Sequence, residues 1–157
     1  MEHVNHPRHY NARPDGLECI EIVRHYTFDI GCAIKYLWRA GLKVEMGKPN
    51  REKEIEDLQK ALWYITDYAY NAKVKKEWTV AFDKDMSAHI LHTTGKDIMD
   101  ITLPYGEFVS DAIENLLFVG LIRDNRILHI ADWQVRLQLA QSAIQKLIEE
   151  LKRTEIK

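Results

Sequence analysis

The chain has 157 residues, 46% of them apolar and 29% charged, with a formal charge of −2. That length supports a core without staples, and the near-neutral charge excludes an overall pull toward nucleic acid or an anionic bilayer. No direct DNA binding is expected, so any attraction for phosphate must come from local clustering. The only cysteines, Cys19 and Cys32, make no disulfide framework, and no N-terminal apolar run reads as a signal peptide. Apolar stretches such as Leu116–Ile122 are too short to span a bilayer. The expected location is the cytoplasm, with both thiols free.

In chain order, residues 1–15 carry Pro7, Pro14 and the histidines His3, His6 and His9, and read as an extended arm. A first helix is expected from Leu17, Ile20 and Val23, ending near His25. A second, capped by Asp29, places Ile30, Ala33, Ile34, Leu37 and Trp38 at helical spacing and stops at Gly41. After a loop over 42–50, Asn50 caps a third helix, in which Ile55, Leu58, Leu62, Ile65, Ala69 and Ala72 step by three and four. Residues 78–82 and 89–92 read as short strands, and Thr94-Gly95-Lys96 and Leu103-Pro104-Tyr105-Gly106 as turns. Helical character returns over 107–121. It is strongest at the end, where Trp133, Leu137, Ala140, Ile144, Leu147 and Leu151 form a narrow stripe suited to a bundle or another subunit. The fold class is mainly α: a helical bundle with an extended N-terminal arm and a small two-stranded β element in the C-terminal half. Two parts are expected, a helical domain over 1–74 and an extension over 75–157.

The chemistry-bearing residues concentrate in the first half. Lys35, Arg39 and Lys43 stand at i, i+4 and i+8 on one helical stripe, where like charges repel by about a few tenths of a kcal/mol per pair. An anion across the stripe relieves that cost, Arg39 gripping it with two N–H groups and Lys35 as a point charge. A plain solvated basic face is the alternative. His6, His9 and Tyr10 on the arm can fold over a ligand, imidazoles to phosphate and ring to base; an arm with incidental histidines, or a zinc site, are the competing readings. Glu18 with Glu21, and Glu54 with Asp57, are pairs one turn apart, and if their helices face each other these four can hold Mg²⁺. Trp38 suits core packing, whereas Trp63 or Tyr64 can stack on a base. No Walker A sequence is present: Thr94-Gly95-Lys96-Asp97 lacks the upstream glycine and the following hydroxyl.

Four blocks, in order, carry a resemblance. They are Asn5-His6-Pro7-Arg8-His9-Tyr10; Glu18-Cys19-Ile20-Glu21; Ala33-Ile34-Lys35-Tyr36-Leu37-Trp38-Arg39-Ala40-Gly41-Leu42-Lys43; and Glu56-Asp57-Leu58-Gln59-Lys60-Ala61-Leu62-Trp63-Tyr64. Over about residues 3–72 they resemble a phage-encoded nucleotide kinase family that lacks a P-loop. The resemblance implies phosphoryl transfer from a nucleoside triphosphate to a deoxynucleoside monophosphate such as dTMP or dGMP. It also implies a homo-oligomer in the host cytoplasm, with nucleoside mono- and triphosphates as partners and no firmly required cofactor. His6, His9, Lys35, Arg39 and Asp57 are then the expected catalytic group, and Tyr10, Lys43, Lys60, Glu18 and Tyr64 the expected substrate contacts. The carboxylates are also similar to those of all-α nucleoside triphosphate pyrophosphatases of the MazG type. On that alternative Glu18, Glu21, Glu54 and Asp57 hold Mg²⁺. A third reading is a non-catalytic nucleotide-binding protein, a phage sponge for a host signalling nucleotide.

Overall fold

A computed structural model describes residues 7–75, 94–124 and 130–154. The chain is mainly α-helical, and no strand occurs among the described residues. The expected strands over 78–82 and 89–92 lie outside them, as do His3 and His6. In order the helices are α1 (Arg8–Asn11), α2 (Cys19–Val23), α3 (Phe28–Arg39), α4 (Asn50–Lys75), α5 (Ile98–Thr102), α6 (Glu107–Asp124) and α7 (Ile130–Arg153).

The long helices form where apolar residues recur every three or four positions. On α3, Ile30, Ala33, Ile34, Leu37 and Trp38 are all buried; α4 contributes Leu58, Ala61, Ile65 and Tyr68, and α7 contributes Leu137, Ala140, Ala143, Ile144 and Ile148. Each large aliphatic side chain so buried stabilises the fold by roughly 1.5–3 kcal/mol. Helix α6 differs: Ala112, Ile113, Leu116, Leu117 and Val119 clothe several of its faces, so it is enclosed by α3, α5 and α7. α3 packs on α4, α6 packs on α7, and the α4–α7 and α3–α6 contacts close the bundle. One buried apolar cluster runs from Leu17 and Ile22 to Ile101, Leu116 and Ile144, so residues before and after the 76–93 segment share a core. The Tyr26 hydroxyl donates to the Leu117 carbonyl at 3.1 Å across that core. No helix among the described residues is long and apolar enough to cross a membrane.

Several local expectations change. The arm is not extended over residues 8–11: it forms the turn α1, docked on α2 and α3. Arg13 explains its anchorage. The guanidinium is buried, binds Asp15, and donates to the carbonyls of Ile101 and Asp100 (the latter at 3.0 Å), tying the arm to α5. Helix α3 is preceded by Thr27, not capped by Asp29, which sits in its first turn. Gly31 allows α2 and α3 to meet closely, because a Cβ there would lie 3.1 Å from the Val23 carbonyl. Gly41 ends α3 in the left-handed region, φ 77°. The unexpected α5 is started by a reciprocal pair: Asp97 accepts from the Asp100 amide at 2.8 Å, and Asp100 accepts from the Asp97 amide at 3.2 Å.

Candidate functional site

The last turn of α3 faces the first turns of α4, and α1 lies across their junction. The spacing that buries Leu37 and Trp38 brings Arg39 into this junction rather than into solvent. Its side chain is 9% exposed; Nη2 donates to Asp57 Oδ1 at 2.9 Å and Nη1 to the Tyr10 hydroxyl at 2.9 Å. The guanidinium also lies over the Tyr36 ring, 4.5 Å from its centroid. Arg39 is therefore a buried, paired residue, not part of the solvated face offered as the alternative, and Lys35 and Lys43 flank it.

Beneath it, Asp57 is fully buried. Lys53, 2% exposed, donates to Asp57 Oδ1 at 3.2 Å and to Glu56 Oε1 at 3.1 Å, and stands 3.6 Å from Glu45 Oε2. Glu56 also binds Lys48 and Lys60. The Lys48 hydrogen bond leads those from all three ammonium groups in holding the Glu56 carboxyl far below the usual carboxylate range. Thus Glu45, Glu56 and Asp57 face Arg39, Lys48, Lys53 and Lys60, three carboxylates against four cations.

Lys35 and Lys43 add positive charge with no ion pair among the described residues; the Lys35 ammonium sits 4.8 Å from the Tyr36 centroid. Lys43 has its pKa lowered by burial and by the Arg39 and Lys53 charges. His9, half-buried on α1 with its ring 4.3 Å from that of Tyr10, is lowered by burial and then by Arg39 and Lys43. His9, Arg39 and Lys43 therefore meet in one positive field. Lys60 reaches the Tyr36 ring at 5.7 Å, and Tyr64 stacks on Tyr36 at 5.8 Å with planes 17° apart.

Of the expected residues, the junction gathers His9, Tyr10, Arg39, Lys43 and Asp57, with Lys60 and Tyr64 reaching it through Glu56 and Tyr36. Lys35 and Glu18 line a separate small cavity of about 140 Å³ with Pro7, Tyr10 and Cys19. The proposed Mg²⁺ quartet does not assemble. Glu18 and Glu21 serve as the reciprocal cap of α2, the Glu18 amide donating to Glu21 Oε2 at 2.8 Å. Glu54 packs against Gly41, and Asp57 is held by Arg39 and Lys53. Among the described residues no three His, Cys, Asp or Glu side chains form a metal-holding group, so Glu18, Glu21, Glu54 and Asp57 do not fit the ion. Cys19 is buried, which pushes its thiol up to about 12, so it is no nucleophile at neutral pH.

Next to the junction lies a larger cavity of about 420 Å³. His9, Ala12–Pro14, Trp38, Ala40, Leu42 and Glu54 form one side; Pro104–Val109 and Leu147 form the other. Sequence reading missed this cavity and missed Lys53. Lys53 carries a local signal, standing three and four residues before Glu56 and Asp57, but nothing local says that it is buried.

A family model described as a protein of unknown function (DUF3310) matches residues 4–66. No curated protein matches the chain, and no solved structure does. The matched span contains the whole junction but stops before the Pro104–Val109 wall of the cavity.

Proposed function

We propose that the chain is a nucleotide phosphotransferase that moves the terminal phosphoryl group of a nucleoside triphosphate onto a deoxynucleoside monophosphate of the dTMP or dGMP kind. An acceptor phosphate oxygen attacks the γ-phosphorus, the bond from that phosphorus to the β,γ-bridging oxygen breaks, and two diphosphates result. Such a reaction asks the protein mainly for in-line positioning and neutralisation of charge. The observation that carries the reading is the junction itself: Arg39 fixed by Asp57 and Tyr10, His9 ring-to-ring with Tyr10, and Lys43 beside them with no ion pair among the described residues.

An arriving phosphate reverses the repulsion. It favours protonation of His9, whose imidazole then donates to a phosphate oxygen, and it gives Lys43 the counter-charge it lacks. Arg39 acts from beneath, its orientation fixed by Asp57 and Tyr10. Asp57 is a positioning residue on this view, with Lys53 offsetting its second share of charge. Lys35 and Lys60, around the Tyr36 ring, extend the positive surface along α3 and α4.

The test is product analysis. Protein incubated with dTMP or dGMP plus dGTP should yield diphosphate from both donor and acceptor, and Lys43→Ala should lower that yield. An EDTA arm asks whether Mg²⁺ is required. Release of pyrophosphate abolished by EDTA would identify a hydrolase instead. Tight binding, with all nucleotide recovered unchanged after denaturation, would identify a binding protein.

A further inference from the structure

The junction accounts for phosphate and leaves the organic part of a nucleotide unplaced. We infer that the 420 Å³ cavity between Trp38 and Phe108 is the base subsite, with Glu54 as the acceptor for the N–H donors of a planar nucleobase. This rests on the phosphotransferase reading for the identity of the ligand, but its evidence is separate.

The volume falls within the roughly 300–1,000 Å³ of small-molecule sites, which are mostly apolar with a few placed polar groups. Trp38, Tyr105, Phe108, Leu42 and Pro104 supply the apolar lining. Among the described residues the Glu54 carboxylate has no hydrogen bond and no ion pair, although burial raises its pKa against the opposing charge of Arg51. The carboxylate is half-buried and its oxygens still face solvent, so the N–H donors of a ligand can take the place of water there. Arg13, on the same wall, does not answer it, because Asp15 and two backbone carbonyls occupy its N–H groups. Two carboxylate oxygens beside aromatic walls suit a flat heterocycle with N–H groups on its edge.

The placement is continuous with the junction. His9 lines the cavity and also feels the Arg39 and Lys43 charges, and Glu54 precedes Asp57 by one turn of α4. Pro104 to Phe108 lie beyond the family match at residues 4–66. The base subsite thereby joins matched residues, Glu54 and Trp38 among them, to a wall that lies beyond the match.

The experiment titrates the full chain separately with the four free deoxynucleosides and with inorganic tripolyphosphate, by calorimetry. The proteins are wild type, Leu42→Trp, Glu54→Gln and Lys43→Ala, each checked for helicity. Leu42 lines the cavity and is half exposed, so a larger ring there should narrow the opening while the buried core is left untouched. At least one deoxynucleoside should bind the wild type. Leu42→Trp should abolish that binding and Glu54→Gln should weaken it about tenfold, while tripolyphosphate affinity stays unchanged in both. The base subsite is overturned if no deoxynucleoside binds the wild type, or if both cavity variants bind it normally. Deoxynucleoside binding without tripolyphosphate binding overturns the phosphotransferase reading and leaves the cavity standing.

Discussion

The junction under Arg39 and the cavity beside it are built on opposite terms. In the junction nearly every charge has a partner: Asp57 holds Arg39 and Lys53, and Glu56 holds three lysines. In the cavity Glu54 has none among the described residues, and most of the remaining lining is apolar. Paired charges stabilise a geometry, and an unpaired one in a hollow calls for a ligand. Mutations of the paired charges should therefore read out as stability, and mutations of Lys43, His9 and Glu54 as binding.

The largest effect should come from Asp57→Ala. It strands two buried cations, and removing one partner of a buried pair costs about 3–5 kcal/mol. Urea unfolding measures this directly; a loss under about 1 kcal/mol would show that the junction is not the rigid element described. Lys43→Ala sits at the border of the two regions. It should lower triphosphate affinity about tenfold and leave stability within about 0.5 kcal/mol, a pair of results that calorimetry and urea unfolding give together.

Gly41→Ala should cost about 1 kcal/mol, because φ is positive and the new methyl would stand 3.3 Å from Glu54 Oε1. Its effect on nucleoside binding should exceed its effect on tripolyphosphate binding, since the displaced group belongs to the cavity. The smallest effect concerns pH. The His9 pKa is lowered from 6.5 in the folded protein, so the unfolded chain binds more protons below that value. The contribution of His9 to stability is fully present above about pH 6.5 and is lost as pH falls toward the folded-state value. Bound phosphate works the other way, raising the imidazole pKa, so tripolyphosphate should bind more tightly as pH falls from about 8 to about 6. His9→Gln should flatten both dependences; an unchanged binding profile in that variant would remove His9 from the phosphate site.

How much of this was legible depended on distance along the chain. Gly41 and the stripe from Ile30 to Trp38 announced α3, and the steps from Leu58 to Ile65 announced α4. Arg39 and Asp57 belong to the expected catalytic group and Tyr10 to the expected substrate contacts, but nothing local says that Arg39 bonds to both. The spacing of Lys35, Arg39 and Lys43 shows one basic stripe and leaves open whether ligand or solvent meets it, because helical periodicity says which residues share a face and not what covers it. Likewise the pairs Glu18–Glu21 and Glu54–Asp57 stand one turn apart, yet the first caps α2, Asp57 holds Arg39 and Lys53, and Glu54 faces the cavity. The Asp97–Asp100 pair that starts α5 is also written locally, but the segment is too short to show periodicity.

By itself the sequence determined the long helices, their apolar faces and the residues that carry charge, since these follow from repeats of three or four positions within one segment. Tertiary structure decided that Arg39 is buried while Lys43 is left without an ion pair, that Arg13 anchors the arm, and that Pro104 to Phe108 close a cavity over Trp38. Those outcomes depend on which segments meet, and the pairing or stranding of a charge is settled by neighbours far along the chain, as Glu54 and Phe108 are.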